Sequence, residues 1–316
     1  FKTSMSIQAV PETGYVFSHW TGKSGAIIPG LPSSFTYIIE AVDTTFTAHF
    51  VPNKFYLTVL SSNPDWGTAS PASSDQTFGT TITLSATPKL GYKFTDWSDG
   101  NTNSSRSYTI GASNATITAN FAKADFPLTV NNDGHGTTTP AGRNEYEYQS
   151  TVNITATPST GYEFSHWQNG DINPSVSYYV VADDSIYTAY FKPLYFTIST
   201  SVDGGSSKGS VTKFVDKQAF GTDITITATP AEGYEFDYWE GTAESNESFS
   251  YTVEAHDAAF KAHFKPLQFH VTTKARYDLG TVTPASQSWD FGTSLSIGAT
   301  ANPGFKFAGW SDGYGM

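Results

Sequence analysis

Cysteine is absent from all 316 residues of the sequence. Its absence excludes a disulfide framework, a zinc–thiolate site and a thiol nucleophile. Many small secreted domains depend on disulfides, so a chain without them favours a bacterial surface protein over a eukaryotic secreted one. Long apolar runs are missing too. None approaches the roughly 20 residues that span a bilayer, and we expect no membrane insertion in this segment.

Charge is scarce and unbalanced. Charged residues make up 15% of the chain, and the net charge is −12. A negative protein is repelled by phosphate backbones and anionic lipid surfaces, so we expect no nucleic-acid partner. A signal-peptide pattern is also lacking, and the chain begins with Phe1 rather than methionine. We expect it to be an excerpt of a longer, continuous array of the same repeats.

Aromatic residues are abundant and recur at fixed positions. The pattern Gly, Tyr or Phe, any residue, Phe, any two residues, Trp occurs five times, at intervals of roughly 70 residues. The motifs begin at Gly14, Gly91, Gly161, Gly233 and Gly304 and end at Trp20, Trp97, Trp167, Trp239 and Trp310. Such a period indicates a tandem array. We divide the chain into repeat one (1–53, partial), repeat two (54–124), repeat three (125–194), repeat four (195–267) and repeat five (268–316, partial).

Alternation of apolar and polar residues predicts that each repeat is built of strands. Residues 82–86 of repeat two alternate Ile, Leu and Ala with Thr and Ser, and residues 117–121 do the same in a closing strand. This period of two is typical of strands with one buried face. A sustained 3.6-residue apolar period does not occur, so we expect no long helix. The predicted fold class is all-β, a tandem array of small modules.

The spacing around each tryptophan predicts local geometry. An aromatic residue precedes every motif tryptophan by the same distance, as in residues 1–20 and 291–310. We interpret this segment as a rigid hairpin, with a turn that begins at Pro88 in repeat two. Phe94 and Trp97 are an odd number of positions apart, which breaks the period of two. We therefore predict a β-bulge before the tryptophan, or a tryptophan at the strand end, and burial of all five tryptophans.

The linkers between repeats are short, and three of them contain a proline: Pro52, Pro193 and Pro266. Proline restricts the backbone and makes a linker semi-rigid. We therefore expect the modules to be arranged as an elongated rod.

The joint pattern in repeat two is Ala86-Thr87-Pro88, then the Gly-Tyr-x-Phe-x-x-Trp motif, then Thr118-Ala119-Asn120-Phe121. In this pattern, which recurs over nearly the whole chain, the sequence resembles the divergent internalin-type B-repeat family. The resemblance implies small β-rich modules, associated with a compact β-grasp-like fold, strung in tandem on bacterial surface and secreted proteins. It also implies a structural, spacer or adhesive role outside the cell, and no catalytic residues.

Two groups of residues raise the question of a metal. Asp99, Asn101 and Asn103 place oxygen atoms at alternate positions, as calcium loops do, while an Asx-Gly turn explains the same residues without metal. His19 and His166 share one repeat position, which other repeats fill with Asp, Tyr or Gly. A position that accepts all these types is typical of a solvent-facing site. We expect no cofactor, with calcium bound by Asp99, Asn101 and Asn103 as the alternative.

Two tryptophans lie outside the repeated pattern. Trp66 precedes Gly67 in a predicted loop, and Trp289 lies two positions before Phe291. Both are candidates for exposed aromatic residues that stack on a ligand such as a sugar ring. The alternative is that they cover the end of a module.

The sequence offers nothing for catalysis, since no serine lies in a nucleophile elbow and the Asp183-Asp184 pair lies in a predicted loop. We expect no enzyme. The sequence predicts a stalk, spacer or fibre segment of a bacterial extracellular surface protein or adhesin, whose partners are neighbouring repeats of the same longer chain. The alternative is a carbohydrate- or glycoprotein-binding array, with surface glycans or host-cell proteins as partners.

Overall fold

The computed structural model describes residues 2–311, so Phe1 and residues 312–316 lie outside it. The all-β prediction is confirmed. Between these limits the chain is built of strands and turns, and its only helical element is a 3-10 turn at Arg276–Asp278. A β-grasp fold packs a helix on its sheet, whereas in repeat two a second β-sheet takes that place. Over residues 2–311, no helix is long and apolar enough to cross a bilayer.

The strands follow the repeats. Repeat one contains β1 Ser4–Gln8, β2 Tyr15–Thr21, β3 Ile27–Ile28, β4 Ser34–Ile38 and β5 Thr47–Pro52. Repeat two contains β6 Lys54–Ser61, β7 Gly67–Ser70, β8 Ser74–Thr77, β9 Thr81–Pro88, β10 Tyr92–Trp97, β11 Ser105–Thr109 and β12 Ala115–Lys123. Repeat three contains β13 Asp125–Asn132, β14 Gly136–Thr139, β15 Gly142–Glu147, β16 Thr151–Pro158, β17 Tyr162–Trp167, β18 Ser175–Tyr179 and β19 Ser185–Pro193.

The remaining strands belong to the last two repeats. Repeat four contains β20 Tyr195–Phe196, β21 Ile198–Val202, β22 Gly209–Val211, β23 Gln218–Ala219, β24 Asp223–Pro230, β25 Tyr234–Glu240, β26 Ser248–Thr252 and β27 Ala258–Pro266. Repeat five contains β28 Gln268–Val271, β29 Gly280–Thr283, β30 Gln287–Asp290 and β31 Gly298–Ala301.

The chain divides into two compact units. The first comprises Phe1–Asn131, Thr139–Thr155 and Ser175–Tyr187, and the second comprises Asn132–Thr138, Ala156–Pro174 and Thr188–Met316. Repeats one and two lie wholly in the first unit, and repeats four and five lie wholly in the second. Repeat two and repeat four are therefore complete modules, each inside one unit.

Repeat two is a pair of β-sheets. One sheet has the strand order β10-β12-β6-β8 and the other has the order β11-β9-β7. Because β9 and β10 belong to different sheets, the predicted hairpin is wrong, and this segment crosses from one sheet to the other. Alternation identifies the buried face of a strand but not its partner. The turn also begins later than predicted, since Pro88 is the last residue of β9 and pairs with Gly67.

The first and last long strands of a complete repeat are parallel neighbours. In repeat two, Leu57–Ser61 of β6 pairs in parallel with Ala115–Ala119 of β12. In repeat four, Ile198–Val202 of β21 pairs in parallel with Ala258–Ala262 of β27. On its other side the closing strand pairs antiparallel with the motif strand, β10 or β25. The closing strand therefore lies inside its sheet.

The core of repeat two contains residues from both sheets. Leu84 on β9, Ala119 on β12 and Trp97 on β10 are each 0% exposed. The inward alternation predicted for residues 82–86 and 117–121 is confirmed, and the small alanine side chains let aromatic rings approach closely. The buried set is Leu57, Val59, Leu84, Ala86, Trp97, Ile110, Ile117, Ala119 and Phe121.

A break in strand register precedes each of the first four motif tryptophans. In repeat two the register shifts between Phe94 and Trp97, and equivalent shifts occur in repeats one, three and four. The predicted bulge is confirmed, and it places the indole in the core. Each of these indole N–H groups donates to a backbone carbonyl that lies 6 to 12 residues further along the chain. These four residues, which are 0–4% exposed, are Trp20, Trp97, Trp167 and Trp239.

Trp310 differs from the other motif tryptophans, because it is 52% exposed. The prediction that all five are buried is therefore wrong for repeat five. In complete repeats the tryptophan lies opposite an alanine of the closing strand, as in Trp97↔Ala119.

Arg106 brings a charge into the core of repeat two. It occupies the cross-strand position that Phe35 takes in repeat one and Phe249 takes in repeat four. Its side chain is 10% exposed, its guanidinium carbon lies 5.6 Å from the centre of the Trp97 ring, and Nη2 donates to Asp99 Oδ2 at 2.5 Å. The Nε atom is buried without a hydrogen-bond partner among the described residues.

We expect Arg106→Phe to leave repeat two equally stable near pH 5 or to stabilise it by up to about 2 kcal/mol, because the substitution removes a buried Nε that has no partner among the described residues. Asp99, whose side chain is 38% exposed, stays in contact with water. Partial burial alone would raise the pKa of Asp99. Hydrogen bonds from Arg106 and the Asn101 amide outweigh that effect and lower this pKa. The pair therefore stabilises the fold above the ordinary pKa of aspartate, about 3.9, and this contribution is lost as the pH falls through the lowered value.

Urea unfolding of both proteins at about pH 5 and about pH 3 checks this prediction. The free energy of unfolding of Arg106→Phe should fall less between these values than that of the parent chain. A clear loss of stability in Arg106→Phe at pH 5, or the same acid response in both proteins, would contradict it.

Candidate functional site

Consecutive repeats are connected through a single residue between two strands. The closing strand of one repeat ends immediately before this residue, and the opening strand of the next begins immediately after it. We call these the joint residues. Each lies, with its neighbouring strand ends, inside one of the two units. The joint residues are Asn53, Ala124, Leu194 and Leu267.

Both backbone groups of each joint residue are hydrogen-bonded. Between repeats two and three, the Ala124 N–H donates to the Gly91 carbonyl at 2.9 Å, and the Ala124 carbonyl accepts from the Tyr148 N–H at 2.9 Å. The joint residue is thus tied to the motif glycine of the repeat before it and to an aromatic residue of the repeat after it. The same arrangement, at 2.8–2.9 Å, links Gly14–Asn53–Phe78, Gly161–Leu194–Phe220 and Gly233–Leu267–Phe291.

The aromatic ring of the following repeat lies directly on the motif glycine. Gly91 has a φ of +88°, a conformation that glycine adopts without steric cost. A methyl group at this glycine would overlap the ring of Tyr148. Glycine is therefore required at this position for two independent reasons. The same contact occurs at Gly14 with Phe78, Gly161 with Phe220 and Gly233 with Phe291.

The motif tyrosine completes the joint. The Tyr92 ring meets the Tyr148 ring edge-on at 5.6 Å between ring centres, a favourable geometry for aromatic pairs. Its other neighbour is Trp66 of its own repeat, stacked at 5.3 Å. In the joint between repeats three and four, Tyr162 meets Phe220 edge-on at 5.4 Å and stacks on His135 at 4.3 Å. Each of these joints therefore contains a cluster of three rings.

Trp66 is a member of this cluster and occupies a repeated position. It precedes Gly67 as His135 precedes Gly136, and the carbonyls of Trp66 and His135 accept equivalent backbone hydrogen bonds. Because the residue type changes between repeats, the sequence pattern did not reveal the equivalence. The Trp66 side chain is half-buried and packs against the core, which agrees with the alternative in which it covers part of its module. A ligand contact by Trp66 stays a prediction.

Trp289 is also half-buried. It lies opposite Phe269 in the β28–β30 pair. Its Nε1 atom is buried and has no hydrogen-bond partner among residues 2–311. A ligand contact by Trp289 likewise stays a prediction.

The proposed calcium ligands make hydrogen bonds of their own. Asp99 accepts from Arg106 and from the Asn101 amide, and Asn101 Oδ1 accepts from the Asn103 amide at 2.9 Å. The Asn103 carbonyl accepts from the Trp97 indole at 2.9 Å. These contacts favour the Asx-turn alternative, since the oxygen atoms stabilise the loop that covers the tryptophan. Calcium binding at Asp99, Asn101 and Asn103 stays a prediction.

The repeated histidine positions face each other across two strands. His19 stacks on His49 at 4.6 Å, His166 stacks on Tyr190 at 5.0 Å, and Tyr238 stacks on His263 at 4.2 Å. We predicted that these histidine positions face solvent, but the histidines are half-buried. Over residues 2–311, three or more His, Asp or Glu side chains never converge in a way that could hold a metal ion.

The fold and the joints define a tandem array of β-modules, in which consecutive modules are connected by one hydrogen-bonded residue and one aromatic–glycine contact. The chain belongs to the divergent InlB B-repeat family, as the resemblance predicted. The profile of the Divergent InlB B-repeat domain matches five segments, at residues 2–54, 57–125, 126–194, 199–268 and 270–316.

Solved structures show weaker similarity. The Bacillus anthracis TIE protein is 10% identical, with a TM-score of 0.38 over 83% of this chain and 68% of that protein. The pilus adhesin SpaC from Lactobacillus rhamnosus GG is 9% identical, with a TM-score of 0.23 over 84% of this chain and 44% of the adhesin. Its open conformation has a TM-score of 0.18. Scores this low do not define a shared fold. No curated protein matches the chain.

Proposed function

We propose that this chain is a stalk or spacer segment of a bacterial cell-surface protein, which holds another part of that protein away from the cell. The observation that carries the proposal is the joint, which recurs four times with the same two hydrogen bonds and the same aromatic–glycine contact. Membership of the InlB B-repeat family supports the surface location. The role is mechanical and requires neither a catalytic residue nor a cofactor.

The joint contacts favour a fixed orientation between consecutive repeats. An unrestrained linker residue samples many backbone conformations, and restricting one residue costs about 1–2 kcal/mol. Each joint residue has both of its backbone groups bonded, one to each of the repeats that it connects. The aromatic ring of the next repeat also fills the space beside the motif glycine. These contacts offset the entropy cost and resist bending at the joint.

Deleting residues 125–194 tests whether repeats add length. The deletion connects Ala124 to Tyr195, so Ala124 can still accept from the aromatic amide of Phe220. We expect the maximum dimension from small-angle X-ray scattering to fall by about 28 Å, the diameter of a 70-residue domain. A compact arrangement would shrink by only about 5 Å on the same scaling. The smaller change, in a variant whose circular dichroism still shows folded repeats, would overturn the spacer role.

A further inference from the structure

In a complete repeat, the first long strand and the closing strand are hydrogen-bonded to each other; in repeat four the two-residue strand β20 precedes this first long strand. In repeat two, β6 and β12 pair in parallel over five residues each, and in repeat four, β21 and β27 do the same. These are also the strands that connect the repeat to its neighbours, because the joint residues Asn53 and Ala124 precede β6 and follow β12.

The direction of this pairing determines how a repeat responds to tension. A pulling force along the chain enters repeat two at the N-terminal end of β6 and leaves at the C-terminal end of β12. Because the two strands are parallel neighbours, these points lie at opposite ends of one ladder. The strands can separate only by sliding past each other, so the load is shared by all the hydrogen bonds of the ladder at once. Antiparallel neighbours loaded at one shared end would instead open one bond at a time.

Further hydrogen bonds close both ends of the ladder. At its start in repeat two, the Tyr56 N–H donates to Asn114 Oδ1 at 2.8 Å. At its end, the Ser62 N–H donates to the Ala119 carbonyl at 2.9 Å. Repeat four has equivalents, in which the Thr197 N–H donates to Asp257 Oδ1 at 2.7 Å and the Asp203 N–H donates to the Ala262 carbonyl at 2.9 Å.

The core lies against the same ladder. Leu57 and Val59 of β6 and Ile117 and Ala119 of β12 are buried on its inner face. Sliding one strand along the other would move these side chains out of register with the core, and a shift of one residue would turn each buried side chain towards solvent.

We propose that each complete repeat is a mechanical clamp, in which the parallel pair of opening and closing strands resists tension along the array. The proposal deepens the spacer function and rests on it, since a stalk between a cell and an attached partner is pulled along its length. The clamp would keep repeats two and four folded under loads that separate other strand pairs.

Single-molecule force spectroscopy on the full chain tests the clamp. The absence of cysteine allows attachment handles to be placed at two chosen residues. Lys54→Cys with Lys123→Cys pulls β6 and β12 from opposite ends of the ladder. Ser62→Cys with Lys123→Cys is the matched control, because Ser62 lies at the end of β6 where the ladder finishes. In both variants one handle is attached through Lys123→Cys, and the force is applied to the same repeat.

We expect the first variant to unfold at a force several-fold higher than the second at the same pulling speed. Asn114→Ala should lower the force of the first geometry and leave the second nearly unchanged, because it removes a bond at the far end of the ladder. Equal unfolding forces in the two geometries would overturn the clamp. That result would leave the spacer role intact, because the scattering of the deletion variant tests length and not mechanical strength.

Discussion

Trp97→Ala is expected to unfold repeat two before the rest of the chain. Trp97 is 0% exposed, lies opposite Ala119 and donates its indole N–H to the Asn103 carbonyl. Truncating a buried tryptophan to alanine costs about 3–5 kcal/mol. A repeat of this size has a total stability of only roughly 3–10 kcal/mol. The substitution therefore removes a large part of the stability of one repeat, while repeat four has its own core.

Thermal unfolding followed by calorimetry should split into a low-temperature transition for repeat two and later transitions for the others. Trp310→Ala is the matched control, because Trp310 occupies the same motif position and is 52% exposed. Trp310→Ala should change the unfolding temperatures only slightly. An unfolding profile of Trp97→Ala that matches the parent chain would show that the tryptophan does not stabilise repeat two as the structure indicates.

Gly91→Ala is expected to cost about 2–5 kcal/mol. Of this, about 1–2 kcal/mol arises from placing a side chain in the left-handed conformation, and about 1–3 kcal/mol arises from overlap with the Tyr148 ring. Gly100→Ala is the matched control in the same repeat. Gly100 has a nearly equal φ of +86°, with nothing within 4 Å of the added methyl group. Gly100→Ala should lower the free energy of unfolding only by the cost of the left-handed conformation, about 1–2 kcal/mol.

A second background isolates the contact across the joint. In a Tyr148→Ala chain the ring is missing, so Gly91→Ala should cost no more than Gly100→Ala does. Urea unfolding of the two single variants and the double variant gives the coupling energy between Gly91 and Tyr148. Equal costs for Gly91→Ala and Gly100→Ala in the parent chain would mean that the ring does not restrict the glycine.

The sequence predicted burial well because alternation determines which side chains face inward. Leu84 and Ala119 were placed correctly on that ground, and the odd spacing from Phe94 to Trp97 predicted the bulge. Strand partners were not predictable in this way. The alternation in β9 and β10 is the same whether the two strands form a hairpin or belong to different sheets, so the sequence does not predict the crossover.

The contacts at the joint could not be predicted from the sequence for a different reason. The motif glycine and the aromatic residue of the next repeat each recur at fixed positions, but the same regularity is expected of residues in a module core. Only the structure shows that Gly91 and Tyr148, from different repeats, contact each other. Trp66 and His135 occupy equivalent positions in two joints, but one is a tryptophan and the other a histidine. A search for identical residues at a fixed spacing therefore does not reveal that the two positions correspond.

The central claim is that the joint holds consecutive repeats in one orientation, and a distance distribution across a joint tests it most directly. Ser107 and Ser177 are exposed, lie at equivalent positions in repeats two and three, and belong to the same unit. Spin labels on Ser107→Cys and Ser177→Cys in the full chain would report their separation by double electron–electron resonance. We predict a single narrow distribution, which broadens when Gly91→Ala is added. A broad distribution in the chain with an intact Gly91 would contradict the account.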